Sequence, residues 1–261
     1  AVWVARATTG REAALLAAAM GLLSPYLTIS PIELNHNIGV MLFWGLTLAA
    51  AWGAFSSGRW AAWLAFGLAV AGGLWAKYAI LHLVAGLGIA FLIVPAWRRQ
   101  LLTPGPWIAV AAGALALSPQ IAALALEDAS PLGWAVRTEA RGLVHHLTST
   151  LAFTGAALGA IAPMVAIAVA ATPDPRGLAR SARALLAASP ADPVGVFVTW
   201  AAVGPFLVIA LAALLFGVDA KSHWLTPIAP SFALWWAVAA ARAGAGVGGR
   251  RLRIAIVALA C

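Results

Sequence analysis

Charged side chains are scarce in this sequence of 261 residues. Only 9% of the residues are charged, whereas 63% are hydrophobic and the mean hydropathy is +0.95. A soluble domain typically carries about 25% charged residues, which form its polar surface. A chain this long and this apolar must place most of its surface against lipid, so a water-soluble fold is excluded.

Cysteine and the common catalytic motifs are also lacking. The single cysteine, Cys261, cannot form an internal disulfide and indicates no compartment. The sequence contains no CxxC, HExxH, Walker A or GxSxG motif, so nothing supports a soluble metal, protease, nucleotide or hydrolase site. We therefore expect no metal and no cofactor. The net charge of +8 comes from arginines that stand singly or in short groups, which does not favour a nucleic-acid partner.

Long apolar runs dominate what is present. About 20 apolar residues cross a bilayer, and this length predicts eight complete spans, near 12–30, 37–55, 60–76, 78–95, 106–124, 149–171, 194–217 and 225–241. A ninth begins near 252, and residues 1–5 resemble the end of an earlier one. Backbone polar groups must pair within lipid, so each span is helical. We expect an all-α polytopic transmembrane bundle, a single domain over 1–261 that is truncated at both ends.

Basic residues are distributed unequally between the two sets of loops. One set holds 12 of the 16 basic residues: Arg6, Arg11, Arg59, Arg98, Arg99, Arg176, Arg180, Arg183, Arg242, Arg250, Arg251 and Arg253. The other set holds Lys77, Arg137, Arg141 and Lys221. The positive-inside rule assigns the first set to the cytoplasm. It predicts that residues 1–11 and 96–105 lie inside and that 125–148 lie outside. We expect a multi-pass protein of the plasma (inner) membrane with its active face extracytoplasmic.

The predicted outer side also carries most of the side chains capable of chemistry. Between the first two complete spans, Glu33, Asn35 and His36 lie at the membrane boundary. They could simply cap helix ends, as a tight polar turn requires, or they could face a binding site. The longest outer loop, 125–148, could cover the bundle or form a lid, and the inner loop 172–193 resembles a basic surface helix.

Two lysines are candidates for binding an anion. Lys77 lies between two spans with almost no loop. Tyr78 and His82 follow it, and because they are four residues apart they are predicted to share one helix face and to line the same pocket. A lysine there either reaches lipid headgroups or contacts an anionic ligand. Lys221 precedes His223 and Trp224 at the outer end of the last span, where a tryptophan can also be a plain interface anchor.

Four stretches resemble the family 39 glycosyltransferases of the GT-C type, which include protein mannosyltransferases and the aminoarabinose transferases of lipid A. They are LLSPYLTISPIELNHNIGVMLFW, GLAVAGGLWAKYAILHL, RRQLLTPGPWIAVAAGALALSPQI and HWLTPIAP, in family order over most of the chain. The resemblance implies an inverting transfer of a sugar from a polyprenyl-phosphate carrier to a glycan, lipid or protein acceptor at the extracytoplasmic face. The donor is then a substrate, and the surrounding partner is membrane lipid.

Site roles follow from this resemblance. The family carries its catalytic acid on an outer loop that would lie upstream of Ala1, so we expect that residue to be missing, with Glu33 and His36 as supporting candidates. Lys77 and Lys221 are then predicted to bind the donor phosphate. The remaining candidates for substrate binding are Asn35, Tyr78, His82, His223 and Trp224.

Two other classes of function remain open. A transporter or flippase also consists of many apolar helices, but it should hold ionisable residues near mid-bilayer and show inverted repeats, and we find neither. A noncatalytic membrane scaffold would leave the concentration of histidines on one side unexplained.

Overall fold

The computed structural model describes residues 1–24, 36–126 and 142–260. Within these ranges every regular element is helical, as expected. Helices α1 to α7 are Val2–Thr9, Arg11–Leu22, His36–Ser57, Trp60–Ala76, Ile80–Ile93, Pro95–Arg98 and Pro104–Leu126. Helices α8 to α12 are Leu143–Ala171, Pro175–Leu186, Pro193–Phe216, Ala229–Arg242 and Arg250–Ala260. Two 3-10 turns, Arg99–Leu102 and Ser222–Leu225, precede α7 and α11.

The number of spans differs from the prediction. Helices occur in all eight predicted regions, but among the described residues only α3, α7, α8 and α10 are long and apolar enough to cross a membrane. Helix α5 continues into α6 and its 3-10 turn through a bend of 100°, which gives a fifth candidate. Helices α2, α4 and α11 have 12, 17 and 14 residues. Hydropathy does not reveal where an apolar run leaves the helix, and the predicted count of eight was therefore too high for these helices.

The helices pack in two interlocked groups. Helix α4 packs against α3 and α7, and α5 packs against α10. Helix α11 is largely buried and contacts α2, α8 and α10. The indole Nε1–H of Trp44 in α3 donates to Ser231 Oγ in α11 at 2.9 Å, and both side chains are fully buried. A buried polar contact of this kind fixes the position of α3 relative to α11.

One end of the bundle collects the arginines. Its tertiary contacts include the hydrogen bond from Gln100 Nε2 to the Phe55 carbonyl at 2.7 Å and the ion pair of Arg242 with Asp192 at 2.6 Å. We call this the arginine-rich end, comprising residues 10–12, 55–63, 95–107, 171–192 and 242–251. The helix Pro175–Leu186 lies there, with Leu178 buried and arginines on the opposite face, as predicted for a basic surface helix.

The opposite end is held by a different set of polar contacts. We call it the lysine end, comprising residues 36–37, 76–80, 143–149 and 214–225. His146 Nδ1 lies 3.0 Å from the Leu214 carbonyl oxygen, and Ser149 Oγ accepts the Ala220 N–H at 3.0 Å. A Cβ on Gly217, whose φ is +67°, would lie 2.5 Å from His146 Nε2, so this position requires glycine. The helices therefore alternate between two chemically distinct ends, as the loop charges predicted.

Candidate functional site

Lys77 is held at the point where α4 ends. Its backbone is extended, with φ −169° and ψ 138°, and this interrupts the helix before α5 begins. The Lys77 N–H donates to the Gly73 carbonyl at 2.8 Å, and its own carbonyl accepts the Ile80 N–H at 3.3 Å. Both backbone polar groups are thus satisfied locally, so the ammonium group is free to form tertiary contacts.

Glycines before Lys77 allow three helices to come close together there. A Cβ on Gly72 would lie 2.1 Å from the ring of Phe43 in α3, and a Cβ on Gly73 would lie 2.7 Å from Ile80 Cγ1 in α5. A larger residue at either position would have to displace the Phe43 ring or the Ile80 side chain. The glycine pair in the GLAVAGGLWAKY stretch therefore brings Lys77 against the start of α3.

The contact that results joins Lys77 to Asn37. Lys77 Nζ donates to Asn37 Oδ1 at 2.7 Å, and Asn37 is buried whereas Lys77 is half-buried. The amide oxygen is neutral, so this bond positions the ammonium without neutralising it. Burial lowers the pKa of Lys77 below its usual value, because desolvation disfavours the charged form. A bound anion would stabilise the charged ammonium and so offset the cost of its desolvation.

Lys221 has a different environment. Its ammonium forms an ion pair with Asp219 Oδ2, two residues earlier, and the lysine side chain is about half exposed. The pair lies in the loop before the 3-10 turn that packs against α8. The charge of Lys221 is therefore already compensated. Of the two lysines predicted to bind phosphate, Lys77 fits an anion-binding role better.

The other predicted site residues are distributed as follows. Tyr78 is 44% exposed and lies in the turn before α5, so the argument that it shares a helix face with His82 was wrong. His82 is half-buried in the first turn of α5. His223 is exposed in the 3-10 turn, and Trp224 packs against the core beside it.

Three of the predicted residues lie outside the described residues or at their edge. Glu33 and Asn35 lie outside the described residues, and His36 is described only as the first residue of α3. Most of the outer loop 125–148 is likewise outside them, although residues 143–148 form the start of α8. The sequence further predicts that Glu33, His36, Lys77, Tyr78 and Lys221 converge around one outer-facing cavity, and this stays a prediction. The residue that sequence reasoning left out of the site is Asn37, which was signalled only by its place among the polar residues before α3.

An apolar groove lies between α4, α5 and α7, and neither Lys77 nor Asn37 lines it. Its volume is about 520 Å³, and it extends from Trp63 and Leu101 at the arginine-rich end to Val70, Val84 and Leu117. Helices α4 and α7 approach closely along it, because a Cβ on Gly67 would lie 2.1 Å from the Ala109 carbonyl oxygen. Val70 lies on α4 seven residues before Lys77, which is about two helical turns.

Comparison with known proteins adds one finding. Residues 2–122 match the family model of the dolichyl-phosphate-mannose-protein mannosyltransferases. The match covers slightly less than half of the chain and includes Asn37, Lys77, Tyr78 and His82, while Lys221 lies outside it. It confirms the resemblance to GT-C type glycosyltransferases and supports a membrane glycosyltransferase. No curated protein and no solved structure matches the chain.

Proposed function

We propose that this protein is a membrane glycosyltransferase that takes a sugar from a polyprenyl-phosphate donor and transfers it to an acceptor at the extracytoplasmic face. The observation that carries the proposal is the environment of Lys77. Its ammonium is half-buried, bonded to a neutral amide, and without an acidic partner among the described residues. A phosphate ester is the ligand that such a cation suits.

The chemistry assigns a role to that charge. The acceptor oxygen attacks the anomeric carbon from the face opposite the phosphate, the bond from that carbon to the phosphate oxygen breaks, and a carboxylate takes the acceptor proton. The negative charge on the departing polyprenyl phosphate grows during this step. A positioned cation stabilises such developing charge more strongly than it stabilises the ground state. Lys77 supplies the cation in this proposal.

The apolar groove supports a lipid-linked donor. A polyprenyl chain is purely hydrocarbon, and the lining between α4, α5 and α7 is almost entirely aliphatic and aromatic. Lys77 lies at one end of α4, within about two turns of the groove. The phosphate and the chain of one donor molecule can thus be bound by adjacent parts of the same helix.

The location of the charges does not favour the transporter alternative. Lys77, Asp219 and Lys221 lie at helix ends or in loops, whereas a translocation pathway would place ionisable groups near the middle of the spans. Glu33 and His36 remain the predicted supporting candidates for catalysis, and Asn35 remains a predicted substrate contact. Tyr78, His82, His223 and Trp224 remain predicted contacts of the sugar or the lipid.

The test is sugar transfer by the full-length protein from a polyprenyl-phosphate donor, at matched expression. Lys77→Gln is expected to lower kcat about 100-fold or more, since it removes a contact to developing charge. Lys221→Gln is the matched control and should stay within a few-fold, because Asp219 already compensates that charge. Asn37→Asp would place a carboxylate 2.7 Å from the ammonium and should also lower the rate. Activity of Lys77→Gln within a few-fold of the parent would assign Lys77 to the lipid headgroups.

A further inference from the structure

A second cavity lies at the arginine-rich end, between α1, α3 and the start of α4. Its volume is about 470 Å³. Trp3 and Trp52 supply its aromatic lining, and Ser56, Ser57 and Arg59 supply polar groups. Because Lys77 and Asn37 lie at the opposite end of the bundle, this cavity is separate from the proposed donor site.

Arg59 brings an uncompensated charge to this cavity. Each acidic side chain in the described ranges is bonded elsewhere: Glu12 to the Val247 N–H, Asp174 to Arg180, Asp192 to Arg242, and Asp219 to Lys221. The Arg59 side chain is exposed and forms no ion pair among the described residues. Its guanidinium is thus available to an anion from outside the chain.

The two serine hydroxyls do not donate hydrogen bonds to that anion. Ser56 Oγ donates to the Trp52 carbonyl and Ser57 Oγ donates to the Gly53 carbonyl, each at 2.6 Å. Ser57 Oγ in turn accepts the Arg59 backbone N–H at 3.2 Å. Both hydroxyl protons are therefore committed within α3, and the hydrogen-bond donors left to a ligand are those of the guanidinium.

The surroundings of the cavity place it at the depth of lipid headgroups. Trp60 and Trp107 are mostly exposed at the same end, and Leu102 is 91% exposed. Tryptophan concentrates where hydrocarbon meets headgroups. Arg98 and Arg99 lie in the bent segment next to Leu102, and the Gln100 bond to Phe55 ties this segment to α3.

We propose that this cavity binds the headgroup of an anionic phospholipid, with the Arg59 guanidinium on the phosphate and Trp3 and Trp52 beside the glycerol and upper acyl chains. A guanidinium binds phosphate through two parallel hydrogen bonds, which gives geometric specificity. The further positive charge of Arg98 and Arg99 favours an anionic over a zwitterionic headgroup. This proposal does not depend on the glycosyltransferase activity.

The experiment uses the purified full-length protein in mild detergent, titrated with phosphatidylglycerol or phosphatidylcholine, and counts bound lipids by native mass spectrometry. The parent protein should retain phosphatidylglycerol preferentially. Arg59→Gln should weaken that binding about tenfold, because it removes a charged hydrogen bond. Arg251→Gln is the matched control, since it removes one exposed arginine from the same end outside the cavity.

A second variant separates loss of the site from loss of the fold. Ala61→Glu places a carboxylate beside the cavity at an exposed position and should repel the phosphate while Arg59 stays in place. Equal binding of the two lipids, or equal losses in Arg59→Gln and Arg251→Gln, would overturn the proposal. Complete displacement of the lipid by soluble glycerol phosphate at similar concentration would also overturn it, since the site would then recognise free phosphate rather than a lipid.

Discussion

The crossing of α5 and α10 depends on two facing glycines, and this makes the cost of one added methyl group predictable. A Cβ on Gly86 would lie 2.3 Å from the Trp200 carbonyl oxygen, and a Cβ on Gly204 would lie 2.5 Å from Gly86 Cα. The atoms that would be met are backbone atoms, which no side-chain rotation can move away. Gly86→Ala must therefore separate the two helices.

The size of this effect can be compared with a neutral reference on the same helix. Overpacking a close contact costs about 1–3 kcal/mol. A Cβ on Gly88 would meet nothing within 4 Å. Gly88→Ala should thus be neutral or gain up to about 1 kcal/mol, because alanine is the better helix former. Both variants add one methyl group to α5, at positions two residues apart. Their free energies of unfolding should differ by about 1–4 kcal/mol.

The assay is unfolding of the full-length protein in mixed micelles with increasing denaturing detergent, followed by loss of helical circular dichroism. Gly86→Ala should unfold at a clearly lower detergent fraction than Gly88→Ala. If both variants unfold together, the α5–α10 crossing is not a close backbone contact. In that case the placement of α5, and with it the turn that carries Lys77, would need revision.

Two further predictions concern the arginine-rich end and the orientation. The Arg242 guanidinium holds the pKa of Asp192 below its usual value, so the ion pair stabilises the fold above the unfolded-state pKa of about 3.9 and is lost as the pH falls through the lowered pKa. Asp192→Asn should lower the free energy of unfolding by about 1 kcal/mol at neutral pH and by nothing in strong acid. Asp174→Asn is the comparison, because its partner Arg180 is far more exposed. In thermal unfolding it should lower the stability little at either pH. In a cysteine-free version of the full-length protein, Thr103→Cys should resist an impermeant thiol reagent added outside, and Ser222→Cys should react. The reverse pattern would show that the predicted orientation is wrong.

The helical class and the two-ended distribution of charge could be predicted from sequence because both follow from composition along the chain. Apolar runs must be helical in lipid, and arginines mark one set of loops. The lengths of the helices could not be predicted in the same way. Helix α11 begins only at Ala229, after the 3-10 turn Ser222–Leu225, although the apolar run starts at 225. Hydropathy scores side chains and carries no information on where the backbone leaves the helix.

Only part of the candidate site could be predicted from the sequence. Lys77 stood out because a cation between two spans is costly without a partner. Its actual partner, Asn37, lies 40 residues away, and the pairing depends on the close approach of α3 and α4. Sequence spacing predicts neighbours within one helix but not across helices, which is also why Lys221 looked equivalent until its pairing with Asp219 became visible.

The difference between the two lysines bears on how the proposed site works. A lysine that merely reaches headgroups needs a long side chain and free space. It does not need a fixed backbone or a tertiary hydrogen bond. Lys77 has both constraints: its N–H and carbonyl are tied to Gly73 and Ile80, and its ammonium is tied to Asn37. The glycines that permit this arrangement lie directly before it. Its charge is thus held in a fixed place by helix packing, and preorganisation of this kind is what stabilisation of a departing phosphate requires.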